Sequence, residues 1–207
     1  MKFDQRTTRE MIQAIADIVI ENAGELTELD RAIGDADHGV NLERGFKAVL
    51  GRIDSISALP INDALNEVGK TLILSVGGAS GPLYGKLFAT IGQHLTNPDG
   101  LTKERIVAAS EEAIRVIKAL GRSDVGHKTM LDVLVPSLDQ LRAGDGRSSL
   151  RDVRERARAA AEETIPMIAR SGRASYLGER SQGHMDPGAR SSQLIVSALC
   201  SFLEARL

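Results

Sequence analysis

Between Asp30 and Asn41 the chain sets Asp30, Asp35, Asp37, His38 and Asn41 around Gly34 and Gly39. Three carboxylates this close repel, and a fold tolerates them best with a cation between them or water around them. Hard oxygen donors suit Mg2+ or Ca2+ rather than the thiolate-seeking metals. The EF-hand pattern fails here. Counted from Asp35, its glycine position is Val40 and its closing glutamate position is Phe46. Mg2+ keeps several waters and bridges a few carboxylates to substrate phosphates, which an open, glycine-flanked trio allows. A solvated acidic turn would use the same residue types. His38 could be a base, a phosphate donor or a group that fixes the loop.

Three further stretches have the same character. Val76-Gly77-Gly78-Ala79-Ser80-Gly81-Pro82 lies between two helical patterns, so its N–H groups can face a phosphate at a helix start. It is not a nucleophile elbow, because Pro82 stands where the last glycine of G-x-S-x-G belongs. Gly121 to Thr129 nearly spells a Walker A loop, but His127 separates Gly126 from Lys128 and a helix precedes it. Thr129 at the mouth of the next helix can still meet a nucleotide. The fourth stretch runs from Ser171 to Pro187. A loop this long in a helical domain is functional or disordered, and Tyr176 and Leu177 favour order. Arg180 is a phosphate or partner contact by type. Asp186-Pro187-Gly188 reads as a helix start, with Asp as cap and Pro in the first turn. His184 reads equally well as a solvated loop residue.

Apolar spacing supplies the elements that must hold these loops. A first helix starts near Thr7, with Glu10 completing a capping box, and runs to about Leu29, ending beside Asp30. Further helices span Gly39–Gly51, a segment after Asn62 carrying Leu65, Val68, Leu72 and Ile73, and one marked by Leu83, Leu87, Phe88 and Ile91. Thr102 caps a helix that Gly121 closes. Thr129–Leu141, a segment from Ser148 or Ser149 towards Ile168 with Pro166 bending or shortening its end, and Gly188–Leu207 complete eight helices with no convincing strand. Connections near Ser55, Asn97-Pro98-Asp99-Gly100 and Ala143-Gly144-Asp145-Gly146 are plain turns. Successive connections of an up-and-down bundle alternate between its ends. The glycine-rich, polar connections follow helices one, three, five and seven, so all four should gather at one end.

Composition narrows the function. In 207 residues, 42% hydrophobic, one all-α domain over 1–207 is expected. Aromatics are 3% with no Trp, which argues against stacking platforms for single-stranded nucleic acid. A net charge of −2 recruits neither nucleic acid nor an anionic membrane. Cys200 stands alone inside the apolar run Leu194 to Leu203, as a core thiol would. Arg151, Arg154, Arg156 and Arg158 are interspersed with Asp152, Glu155 and Glu162, a salt-bridged solvated face. Met1 to Arg6 carry no apolar signal core, so a cytoplasmic location is expected.

In this order the four loops closely resemble the nucleotide-binding L subunit of dihydroxyacetone kinase. The matching residues are Asp30 with Gly34-Asp35-Ala36-Asp37-His38-Gly39, Gly77 to Gly85, Gly126 to Asp132, and Gly172 to Arg180 through Asp186-Pro187-Gly188. The family pattern often has glycine where Ala36 stands; the extra methyl constrains the backbone and removes no ligand. The resemblance implies an antiparallel eight-helix barrel with ADP or ATP at one end. It implies two Mg2+ on Asp30, Asp35 and Asp37. With His38, these carboxylates would form the catalytic set. His38, Asn41, Ser80, Thr129 and the Gly78-Ala79 backbone would lie near the phosphates. Leu83, Gly121, Met130 and the loop with Arg173, Gly178, Asp186, Pro187 and Gly188 would shape the base and ribose pocket. By the same likeness a separate K subunit holds dihydroxyacetone. A phosphotransferase-system protein or free ATP supplies the phosphoryl group, and a homodimer is a further assembly. The chain shows no obvious base for a substrate hydroxyl, in keeping with a base on a partner. Two other classes use the same loops: a nucleotide-loaded module docking on a transcription factor, and a metal-dependent hydrolase.

Overall fold

The computed structural model describes residues 3–95, 102–144 and 146–206. The described residues form ten α-helices and one 3-10 segment, with no strand. The helices are α1 (Gln5–Glu21), α2 (Ala23–Ile33), α3 (His38–Leu50), α4 (Ile53–Ser57), α5 (Ile61–Ser75), α6 (Ser80–His94), α7 (Lys103–Gly121), α8 (Leu131–Ala143), α9 (Gly146–Glu163) and α10 (Pro187–Glu204). The 3-10 segment is Arg173–Ser181.

Local chemistry sets most of these ends. Asp4 caps α1 by accepting the Thr7 N–H at 2.7 Å, so the helix begins before the Thr7 box, and Glu10 pairs with Arg6 instead. Thr102 caps α7 as expected, and Arg122 ends it in the left-handed region at φ 47°. Asp186 caps α10 with Pro187 in the first turn, also as expected. α9 stops at Glu163 and Pro166 lies in the turn beyond, so the proline shortens the helix rather than bending it. The expected single first helix is two. The Asn22 backbone and side-chain amides both bond to the Ile18 carbonyl, closing α1 and letting α2 leave in a new direction. Asp30 therefore lies inside the last turn of α2 rather than beyond a helix end. The connection near Ser55 holds the short α4, and the expected loop before Pro187 holds the 3-10 segment. The turn expected at Asn97 to Gly100 falls outside the described residues.

Eight of the helices close a ring: α1 packs on α3, then α5, α6, α7, α8, α9 and α10 follow in turn, and α10 returns to α1. The core is aliphatic, with Phe46 edge-on to Phe88 at 6.3 Å. A Cβ at Gly69 would stand 2.4 Å from the Gly85 carbonyl oxygen, so a glycine there lets α5 and α6 approach closely. Cys200 is buried, and burial pushes its thiol up to about 11. An apolar pocket of about 400 Å3 opens between the C-terminal halves of α6, α8 and α10 and the N-terminal halves of α7 and α9. None of the sequence-predicted site residues lines it. No helix among the described residues is long and apolar enough to cross a membrane.

Candidate functional site

The acidic loop is built around Asp30. Its buried carboxylate accepts the N–H groups of Asp37 (2.8 Å) and His38 (3.1 Å), folding the loop back over the end of α2. Gly34 has to be glycine, because a Cβ there would meet the Asp30 carboxylate oxygen at 2.0 Å. One oxygen from each of Asp30, Asp35 and Asp37 lies within 4.8 Å of the others, with Asp30 buried and Asp35 exposed. Three hard, negatively charged donors converging this closely match what Mg2+ needs from a protein. Ala36 holds the turn at φ +61°, the left-handed region that glycine enters freely. For alanine this conformation costs about 1–2 kcal/mol. That is a physical reason for the family's glycine at this place.

The glycine-rich turn lies beside this loop. A Cβ at Gly78 would stand 3.9 Å from an Asp37 carboxylate oxygen, and Gly77 abuts the Asn41 amide. Asn41 is fixed by Arg44, which also donates to the Ser75 carbonyl at 2.8 Å. α6 begins at Ser80 after Ala79 with no side-chain cap, leaving the positive end of its dipole open beside the carboxylates. Behind Ser80 runs a buried polar chain. His38 Nδ1 is 3.0 Å from Ser80 Oγ, and His38 Nε2 is 2.9 Å from Ser191 Oγ. The Tyr84 hydroxyl lies 2.7 Å from Ser191 Oγ and 2.8 Å from Ser192 Oγ, and it donates towards the Gly188 carbonyl at 3.0 Å. Burial pushes His38 down to about 4, opposed by Asp30, so the ring is neutral near pH 7. Burial pushes Tyr84 up to about 12. His38 thus has both nitrogens committed inside the protein and faces the site through Ser80.

The other two loops meet across from it. Buried Asp132 accepts the N–H groups of Gly126 (2.5 Å) and Thr129 (2.7 Å), which shapes the α7–α8 connection. Leu83 sits against Gly121, whose added Cβ would lie 3.7 Å from it. Met130 lies against Gly188. Asp186 accepts the Ala189 N–H at 2.7 Å, and burial raises its carboxyl to about 7, with Asp132 and Asp30 adding to the rise. Arg173 reaches across to Asp35 at 3.0 Å, joining the 3-10 segment to the acidic loop. Gly178 breaks that segment at φ 57°. All four polar connections therefore gather at one end of the ring, as helix parity requires. No role for Tyr84, Lys128, Asp132 or Ser191 was legible in the sequence. Asp132 follows Gly126 and Thr129 closely enough to be suspected, whereas Tyr84 and Ser191 are 107 positions apart.

Comparison with known proteins places these features in a lineage. The DAK2 domain model matches residues 32–201. The ADP-binding subunit DhaL of the PEP-dependent dihydroxyacetone kinase of Escherichia coli is 42% identical over 188 residues, covering 88% of this chain and 90% of that protein. The ADP-binding subunit DhaL of the PTS-dependent dihydroxyacetone kinase of Lactococcus lactis is 36% identical over 193 residues, covering 93% and 95%. Among solved structures, the dihydroxyacetone kinase of C. freundii in complex with AMP-PNP and Mg2+ superposes with a TM-score of 0.74 at 26% identity. That match covers 94% of this chain and 33% of the kinase chain, so this chain spans about a third of that longer protein.

Proposed function

The chain belongs to the DAK2-domain family, and from that premise we propose that it is the nucleotide-carrying subunit of a dihydroxyacetone-type kinase. In this reading it holds Mg2+ with ADP or ATP and passes the terminal phosphoryl group to a small ketose on a separate K subunit. The observation that carries the reading is the convergence of Asp30, Asp35 and Asp37 beside the open N-terminus of α6. Either feature alone is common. Together they place cation ligands and anion-binding N–H groups side by side, the pair of requirements a metal-bound polyphosphate presents.

The carboxylate trio would hold the metal, and two Mg2+ ions are proposed from the family likeness. Bound there, Mg2+ would neutralise phosphate charge and keep the phosphoryl group poised for transfer. The chain's own groups do the rest by position. Asp30 anchors the loop through two N–H bonds to one carboxylate oxygen, and its carboxylate would also serve the metal. Neutral His38 fixes Ser80 at the start of α6, and Asn41 and the Gly78-Ala79 backbone complete the phosphate side. Thr129 would also face the phosphates, while Leu83, Gly121, Met130, Arg173, Gly178 and Asp186 to Gly188 supply the opposite wall, suited to a base and ribose.

His38 is poorly suited as a base for the acceptor hydroxyl: both ring nitrogens are bonded inside the protein, and burial lowers it to about 4, which leaves it little affinity for a proton. The K subunit would supply that base. The same end of the ring is rimmed by exposed apolar side chains: Val40, Leu74, Leu120, Val125 and Tyr176. This rim supports docking of a protein over the site. The phosphoryl donor would be either a phosphotransferase-system protein recharging a retained ADP or exchanging ATP, and the kinase role would place the protein in the cytoplasm. Calorimetry with ADP tests the proposal. Wild type should bind with Mg2+ and not in EDTA, and Asp35→Asn should lower affinity by at least about tenfold, or about 1.4 kcal/mol. Equal binding by Asp35→Asn would remove the metal-phosphate reading.

A further inference from the structure

Lys128 is 1% exposed, yet its two hydrogen-bond acceptors are main-chain carbonyls rather than carboxylates. Its Nζ donates to Met167 O at 3.0 Å and to Ser181 O at 2.6 Å. Its backbone sits in the left-handed region at φ +61°, where a side chain is disfavoured. Burial pulls the ammonium down from the usual lysine range, and Asp186 opposes that shift. A buried ammonium and a strained backbone at one residue are both costly, so the position is set by what it joins.

Met167 and Ser181 are the two sides of one neck. Between them runs the loop that carries Arg173, Tyr176 and Gly178. Other bonds cross the same neck: Ala169 N–H to Ser181 Oγ at 2.9 Å, Gln182 Nε2 to Pro166 O at 2.9 Å, and Gly183 N–H to Ile165 O at 2.8 Å. The neck also touches the α7–α8 connection through Arg170 N–H to His127 O at 3.1 Å and His127 Nδ1 to Ser171 Oγ at 3.2 Å. Lys128 is the residue that reaches from that connection to both sides of the neck at once. Thr129 and Met130 follow it directly, and Asp186 lies close enough to act on its charge.

We propose that Lys128 is a positioning residue for the nucleotide site, clamping the neck of the 164–182 loop onto the α7–α8 connection and so fixing the wall that faces base and ribose. The clamp rests on the nucleotide reading for its function, but not for its geometry. Its donors need not touch the nucleotide. Their effect is to hold two loops in one relative placement, as positioning groups do.

Lys128→Met keeps the length of the side chain and removes the donors. Amide hydrogen exchange without nucleotide should then speed up by about tenfold or more in peptides covering 165–183, with α3 and α5 unchanged. Mg-ADP affinity should fall by about tenfold or more, while the affinity for Mg-pyrophosphate, which has no base or ribose, should stay within about twofold. Unchanged exchange in 165–183 overturns the clamp whatever the nucleotide does. Wild-type ADP affinity in the variant overturns its role at the site, and so does a parallel loss of pyrophosphate affinity, which would mark general damage. If wild type itself fails to bind Mg-ADP, the nucleotide reading falls, and the exchange result still decides whether the clamp exists. Should Lys128→Met not fold, Lys128→Gln, with neutral donors on a shorter arm, is read by the same three measurements.

Discussion

Where α2, α3, α6 and α10 meet, polar groups bonded to one another fill the space between helices: buried His38, Tyr84 and Ser191 and half-buried Ser80, with Asp30 beneath them. Where the same ring closes at its other end, Leu, Ile and Phe side chains leave an apolar pocket of about 400 Å3. One set of helices therefore carries two kinds of packing. Directional bonds fix each partner's angle as well as its distance, so an end built from them holds loops in one arrangement. Apolar contacts are non-directional, so the other end stays folded with space left over. The functional loops sit where geometry is over-determined.

The sharpest test of that contrast is Asp132→Asn. Asp132 accepts the N–H groups of Gly126 and Thr129 with separate oxygens. Asparagine keeps one acceptor and turns an NH2 towards the other N–H, leaving a buried donor unpaired. The expected loss is about 2–4 kcal/mol in urea unfolding, with weakened Mg-ADP binding alongside. A loss below about 0.5 kcal/mol would mean that the polar end is no more tightly specified than the apolar one.

A pH-dependent effect separates two buried titrating groups of the polar end. His38 is lowered to about 4, so its contribution is present above the unfolded value near 6.5 and lost as pH falls towards 4. Asp186 is raised to about 7, so its contribution is full below the unfolded value of 3.8 and is lost as pH rises towards 7. Between pH 4 and 6.5 the two oppose each other. Asp186→Asn keeps an N-cap and removes one side of that balance. In EDTA and without nucleotide, its stability should climb with pH across that window relative to wild type. The difference should approach about 1.4 kcal/mol per pH unit. Parallel profiles for the two proteins would show that Asp186 is not held in the protonated form.

Much of the polar end was legible in the sequence. The residue types of the four loops, and the parity of the helices between them, brought the loops to one end without any coordinates. Asp186 and Pro187 announced the start of α10 because capping is local chemistry. Other features were not legible because they depend on partners far away in sequence. In the sequence Lys128 stands out only as the offset lysine of a near Walker A loop; the contacts to Met167 and Ser181 appear only in the fold. The break at Asn22 depends on a side-chain amide turning back onto Ile18, against an unbroken helical pattern. The positive φ of Ala36 is hinted at only by the family's glycine there, since alanine itself carries no sign of it. The apolar pocket has no signature in the sequence, since helices that bound a space and helices that fill it share the same periodicity.

The mildest prediction belongs to the apolar end. Ser137 and Ser149 both line the pocket with buried hydroxyls that have no hydrogen-bond partner among the described residues. An unpaired hydroxyl has given up water and gained nothing, so its removal forfeits no bond. Ser137→Ala should therefore leave stability unchanged or raise it by up to about 1 kcal/mol, read as the urea midpoint at constant slope. The same hydroxyl deletion at Tyr84 would take from Ser192 its tyrosine partner and from Ser191 one of several bonds. The sign of Ser137→Ala is thus the direct check that the two ends differ. A loss of more than about 1 kcal/mol would show that the Ser137 hydroxyl is bonded in solution, which needs a polar partner such as water inside the pocket. The apolar end would then be a second hydrogen-bonded end, and the contrast between the two would have to be redrawn around what that partner is.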